Sequence, residues 1–142
     1  MECDASVVLI FNEGRFLLIK RAEREGDPWS GDMALPGGHR KKGETCEETA
    51  IRECKEEVGI EPKLVRFLGY YSPNNKQLKV AAFLGKSEKM DIIMDDEVSM
   101  YFWAKPEQLN EDKECYFLNG FRIWGMTYRI LKDFLSQGFN II

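Results

Sequence analysis

The chain has 142 residues, 44% of them hydrophobic and 31% charged, which suits one α/β domain spanning residues 1–142 with a substantial core. Its net charge of −4 argues against a general nucleic-acid-binding surface, and no segment of the sequence reads as a membrane span. The opening stretch MECDASVVLIF lacks a basic leader region and a long apolar run, so a cytoplasmic location is expected. Cys3, Cys46, Cys54 and Cys115 form no CxxC pair and His39 is the single histidine, so the expectation is four reduced thiols and no zinc site.

Ser6 to Phe11 is a β-branched apolar run, Asn12-Glu13-Gly14-Arg15 reads as a turn, and Phe16 to Ile19 resumes the run, which predicts a hairpin. Arg21 to Asp32 is charged and carries Gly26, Pro28 and Gly31, the mark of a long loop. Met33 to Leu35 is a short strand candidate that ends at Pro36-Gly37-Gly38. Thr45 and Glu48 have capping-box spacing, Glu47 and Glu48 suit a first turn, and Gly59 suits a left-handed C-cap, so a helix is predicted between them. Lys63 to Tyr71 and Leu78 to Leu84 read as strands joined by a Ser72-Pro73-Asn74-Asn75 turn. Lys86 to Glu97 is a polar, acidic loop, Ser99 to Ala104 an aromatic strand, and Pro106 opens a helical turn through Leu109. Ile123, Trp124, Thr127, Ile130, Leu131, Phe134 and Leu135 follow the spacing of an amphipathic C-terminal helix. The sum is one α/β domain with a mixed sheet between helices.

The central helix carries the chemistry. Ala50, Ile51, Cys54 and Val58 fall on one stripe, and Glu53, Glu56 and Glu57, at i, i+3 and i+4, share the neighbouring one. Carboxylates crowded on one face repel each other unless they hold a hard cation such as Mg²⁺. That pattern points to a metal-dependent enzyme acting on phosphates. The bland alternative is a solvated acidic helix.

With Gly38 and Glu44 upstream and Arg52-Glu53-Cys54-Lys55-Glu56-Glu57-Val58-Gly59-Ile60 closing it, the segment resembles the signature of the Nudix hydrolases. These enzymes act on a nucleoside diphosphate linked to another group. The resemblance implies an α/β/α sandwich over nearly the whole chain and Mg²⁺ as cofactor, with Mn²⁺ an alternative. It implies Glu53, Glu56 and Glu57 as metal ligands, with a backbone carbonyl near Gly37 and Gly38 completing the shell. Arg52 would orient the carboxylates through its planar fork. Glu44 would be an outer-shell residue. The general base is one of the trio or Glu97, in a stretch (Asp95 to Pro106) that resembles the family's late loop and strand; a solvated loop is the plain reading of the same letters. His39 and Arg21 are weaker candidates for phosphate contact. Tyr70, Tyr71 and Trp103 have the bulk to stack on a base, but strand spacing suits core aromatics better. A homodimer is compatible with the family.

For substrate, Leu17 to Ala22 running on to Gly31 and Leu35 to Gly38, together with Ile123 to Thr127, resembles segments of the coenzyme A diphosphatases. The interval from Arg21 to Gly31 is one residue longer than in that motif, and Leu35 stands where Phe is usual. Coenzyme A or a related adenine-containing diphosphate is therefore the leading expectation. Nucleoside triphosphates, oxidised ones included, and ADP-ribose are the alternatives. A non-enzymatic ligand sensor is a further one.

Overall fold

A computed structural model describes residues 1–27, 30–74 and 77–137. Pro28 of the predicted loop and Asn75 of the predicted turn lie outside these residues. β1 (Ala5–Asn12) and β2 (Arg15–Arg21) form the expected antiparallel hairpin, with Phe11 opposite Phe16. Its two-residue turn has positive φ at Glu13 (45°) and Gly14 (79°), the primed geometry that matches strand twist. β3 (Met33–Ala34) pairs with β2, and β4 (Gly37–His39), a strand not foreseen from sequence, pairs with β1.

The helix α1 (Cys46–Val58) begins and ends where its caps dictate. Thr45 Oγ1 accepts from the Glu48 N–H, the Glu48 carboxylate accepts from the Thr45 N–H, and Gly59 closes the helix at φ 74°. Then follow β5 (Lys63–Tyr71), β6 (Val80–Lys86) and β7 (Val98–Ala104), and a short 3₁₀ turn at Pro106–Gln108. The seven-stranded sheet runs β3-β2-β1-β6-β5, with β4 added to β1 and β7 to β2. The β1–β6 pair is parallel and the others antiparallel, so the sheet is mixed as expected.

Strand β1 explains the layering. Ala5, Val7, Leu9 and Phe11 join one apolar cluster, while Val8 and Ile10 join another. A strand buried on both faces needs cover on both. Ala50, Cys54 and Val58 of α1 supply one side. The other is covered by Ile130, Leu131 and Phe134 of α2 (Gly125–Ser136), with Tyr116, Leu118 and Ile123. These last three belong to a separate sheet of β8 (Asn110–Asp112), β9 (Cys115–Leu118) and β10 (Phe121–Ile123). Here the structure corrects the sequence: Ile123 closes β10 and Trp124 caps α2, so the helix starts later than its apolar spacing predicts.

The cysteine expectation is also corrected. Cys3 and Cys46 form a disulfide, with Cα atoms 6.2 Å apart, that ties the segment before β1 to the first residue of α1. They are distant in sequence but face each other because β1 and α1 pack together. Cys54 and Cys115 are free and buried, Cys54 in the core as expected. No described helix is long and apolar enough to cross a membrane.

Candidate active site

Strand β4 lies against α1, and its two glycines let backbone approach carboxylate. The Gly37 N–H donates to Glu57 Oε1 at 2.9 Å. At Gly38 a Cβ would stand 2.6 Å from either Glu53 carboxylate oxygen, so only glycine leaves Glu53 its place. Glu57 is 2% exposed and has no cationic partner among the described residues. Burial pushes its pKa up to about 8; the Gly37 N–H opposes this, and the charges of Glu53, Asp95 and Glu97 add to it. Burial also raises Glu53, against its bonds to Arg52.

Arg52 is a hub. Its Nε and Nη2 engage both oxygens of Glu44, Nη1 reaches Glu53 Oε1 and Glu56 Oε1 at 3.0 Å each, and Nη2 also donates to the His39 carbonyl at 3.0 Å. Only a planar guanidinium fans out in this way. Arg52 therefore links three carboxylates to β4, and its own pKa is raised, first by Glu44. Glu44 in turn accepts from the Lys41 N–H and the Thr49 hydroxyl, and the Arg52 bonds hold its pKa down to about 2. Glu56 is half-exposed and turned towards Arg52.

The acidic loop before β7 is anchored through its backbone. The Ile93 N–H donates to Val58 O at 3.0 Å and the Asp95 N–H to Glu57 O at 3.1 Å. Asp95 Oδ1 then accepts from the Glu97 N–H, and Glu97 O accepts from the Ala22 N–H, both at 2.9 Å. Glu97 is thereby fixed at the rim of the cleft that Glu53 and Glu57 line.

That cleft is a cavity of about 350 Å³, within the range of small-molecule sites. Gly37, Gly38, His39, Glu53, Glu57 and Glu97 form its acidic end. Its remaining walls include Met33, Leu35, Leu78, Val80, Met126 and Ile130, with Arg21, Asp32, Asn74, Trp124 and Thr127 among the polar or amphipathic members. Arg21 pairs with Asp27 at 3.2 Å, and its Nε has no partner among the described residues. Asp32 Oδ1 accepts from the Trp124 indole N–H at 3.3 Å. Burial raises the Asp32 pKa, opposed by the Trp124 bond and the Arg21 and Arg122 charges.

The site thus combines a buried Glu57, a partly buried Glu53, two glycines that give them room and an arginine that latches Glu53. A NUDIX domain model matches residues 2–120. The chain belongs to the Nudix family. An ADP-ribose pyrophosphatase from Methanocaldococcus jannaschii is 47% identical over 64 residues, 45% of this chain and only 36% of that relative. The nucleoside triphosphatase NudI of Salmonella paratyphi B is 33% identical over 115 residues, covering 71% of this chain and 80% of that enzyme. Among solved structures, the MutT protein from Methanosarcina mazei Go1 shares the fold with a TM-score of 0.75 at 24% identity, over 97% of this chain and 96% of that one. Family and fold thus agree.

Within the Nudix frame, the structure brings Glu53, Glu57, Gly37, Gly38, His39, Arg21 and Glu97 to one cavity. Glu44, Arg52 and Glu56 stand behind it in the hub. Among the described residues no three acidic, histidine or cysteine side chains gather closely enough to enclose an ion in this conformation. The donor chemistry nonetheless fits a divalent cation: Glu57 is a buried carboxylate beside other carboxylates with no cation of its own. Tyr70, Tyr71 and Trp103 are not part of the cavity wall; Tyr71 bonds Asp133 and Trp103 bonds the Met90 carbonyl. Sequence reasoning missed Asp32 and Asn74 as cavity residues. No local pattern marks them. Of the segments that resemble coenzyme A diphosphatases, Arg21, Leu35, Gly37 and Gly38 near the N-terminus and Trp124, Gly125, Met126 and Thr127 near the C-terminus line this cavity.

Proposed function

We propose that the chain hydrolyses the diphosphate bond of nucleotides with Mg²⁺ or Mn²⁺ bound at Glu53, Glu56 and Glu57 and a carbonyl of Gly37 or Gly38. The observation that carries this is Glu57: a side chain 2% exposed, with three other acids raising its pKa, at the wall of a ligand-sized cavity. The cation would neutralise phosphoryl charge and acidify bound water. Arg52 holds Glu53 and Glu56 in place through the Glu44 hub. Glu97, fixed by its backbone but outside that hub, takes the proton from the attacking water. Arg21 and His39, which line the same cavity, meet the phosphates.

Nucleoside triphosphates and ADP-ribose are the first substrate classes, because relatives named for those activities are similar to this chain, the triphosphatase over 71% of it. Coenzyme A is the second reading, favoured by the meeting of its two resembling segments at the cavity. The test is a panel of nucleoside triphosphates, ADP-ribose and coenzyme A at equal concentration with Mg²⁺ or Mn²⁺, products identified by mass spectrometry. Metal-dependent turnover lost in Glu57→Gln is expected. No turnover of any of them with either metal would refute the hydrolase assignment and favour a ligand sensor.

A further inference from the structure

The helices α1 and α2 begin differently. The first turn of α1 is closed by the Thr45 hydroxyl and the Glu48 carboxylate. At α2 the cap position holds Trp124, whose side chain makes no capping bond, and the N–H groups of Gly125, Met126 and Thr127 meet no acceptor among the described residues. These three residues line the cavity. Because α1 and α2 cover opposite faces of the sheet, this corner lies apart from the glutamates.

Two side chains add donors there. Thr127 is 7% exposed, and its hydroxyl makes no hydrogen bond among the described residues. A helical threonine can bond the carbonyl four residues back, as Thr49 does to Thr45 O at 3.0 Å. Thr127 makes no such bond to Ile123 O, and the space its side chain borders is the cavity. The second is Asn74. Its Oδ1 accepts from Arg129 Nη2 at 2.8 Å, which fixes the other end of the amide as nitrogen. That Nδ2 stands 3.8 Å from where a Cβ on Gly125 would be, so it lies over the start of α2. Arg129 also donates to Ser72 O and so fastens the chain around Asn74 to α2. An oxygen that could have capped the helix is thereby held by Arg129 instead. Asp32 is the acid lining this half of the cavity. One of its oxygens takes the Trp124 indole N–H at 3.3 Å, and the charges of Arg21 and Arg122 offset its own.

Donors gathered at the positive end of a helix macrodipole favour an anionic acceptor. A phosphate monoester brings several charged oxygens to such a place; a hydroxyl in its stead brings none. We propose that the start of α2 is a second anion site, which takes a phosphate monoester carried by the nucleotide away from the bond that is cleaved. Thr127 and Asn74 determine this specificity. The proposal rests on the nucleotide reading of the cavity, with the diphosphate at Glu53 and Glu57.

The test uses pairs of ligands that differ by a single phosphate monoester: coenzyme A against 3′-dephospho-coenzyme A, and 2′-phospho-ADP-ribose against ADP-ribose. It measures kcat/KM with Mg²⁺ and, separately, calorimetric binding of the intact ligands in a chelator. Wild type should favour the phosphorylated member of at least one pair by roughly 10-fold to 100-fold, and less so at high salt. The pair that responds tells a 3′ group from a 2′ group. Thr127→Val keeps the shape and should lower the ratio by roughly 3-fold to 10-fold. Asn74→Asp puts a negative charge where N–H groups stood and should bring the ratio to about one or below. Equal values within both pairs in the wild type, a measurement that needs no variant, overturn the proposal. So does a preference that survives intact in both folded variants. Selective binding in chelator without turnover supports the proposal while defeating the hydrolase reading. Turnover without preference defeats this proposal alone.

Discussion

Replacing Glu57 with glutamine should make the metal-free protein more stable at neutral and alkaline pH while destroying its activity. Glu57 titrates near 8 in the fold, against 4.5 for an ordinary glutamate, because it is buried among acids. Between those values the folded chain holds a proton that the unfolded chain has released. Stability therefore falls as pH rises through this window, by about 3 kcal/mol at pH 7 and somewhat more by pH 8. The glutamine side chain would keep the shape and the acceptor for the Gly37 N–H but has nothing to ionise. In chelator, the two proteins should melt close together near pH 5, and the variant should melt about 10–15 °C higher at pH 8. Added Mg²⁺ should raise the wild-type melting temperature at pH 8 and leave the variant nearly unmoved. Turnover should fall on the order of 100-fold or more in the variant. Parallel stability-versus-pH curves for the two proteins would refute the argument that Glu57 is a buried charge awaiting a cation.

Arg52→Lys preserves charge but cannot reach Glu44, Glu53, Glu56 and His39 O together, so kcat should drop on the order of 100-fold, measured alongside the melting temperature. Gly38→Ala should push Glu53 aside and reduce kcat on the order of 100-fold with little change in melting. Gly37→Ala should instead disrupt the fold by about 3 kcal/mol, because its Cβ would meet the Ser6 carbonyl and stand 2.7 Å from Val7 Cα in β1; chemical denaturation of both variants separates the two effects. Cys3→Ser should remove a dithiothreitol-sensitive part of the melting temperature, up to about 4 kcal/mol for a loop of this length, and leave kcat unchanged.

The helix α1 was legible to the residue because its determinants are local: Thr45, Glu48 and Gly59 act within a turn of where they stand. The β1–β2 hairpin was legible for the same reason. The second sheet was not. Its strands have three or four residues, β8 is wholly exposed, and no periodicity develops over so short a span. One signal was present and passed over: Asn119-Gly120, with φ of 50° and 82°, is the dipeptide that turns β9 into β10. Ile123 and Trp124 fit a helical wheel because apolar spacing alone does not separate a buried strand end from the helix after it. In the site, Arg52, Glu53, Glu56 and Glu57 could be placed relative to one another because they share one helix. The Cys3–Cys46 bond and the position of Asp32 beside Trp124 depend on pairings across 43 and 92 residues, which one sequence does not display.

The cavity has two halves with different origins. Its acidic half comes from a single run of chain, β4 through α1, with only Glu97 added from elsewhere. Its other half is assembled from the stretches around Asp32, Asn74 and Trp124 to Ile130, none of which constrains the others in sequence. Substitutions in those stretches can alter what is recognised without disturbing how the bond is broken. Selectivity can thus drift while the reaction is inherited intact. Relatives named for different activities are what such an arrangement produces, and swapping those three stretches between them should exchange preference without exchanging chemistry.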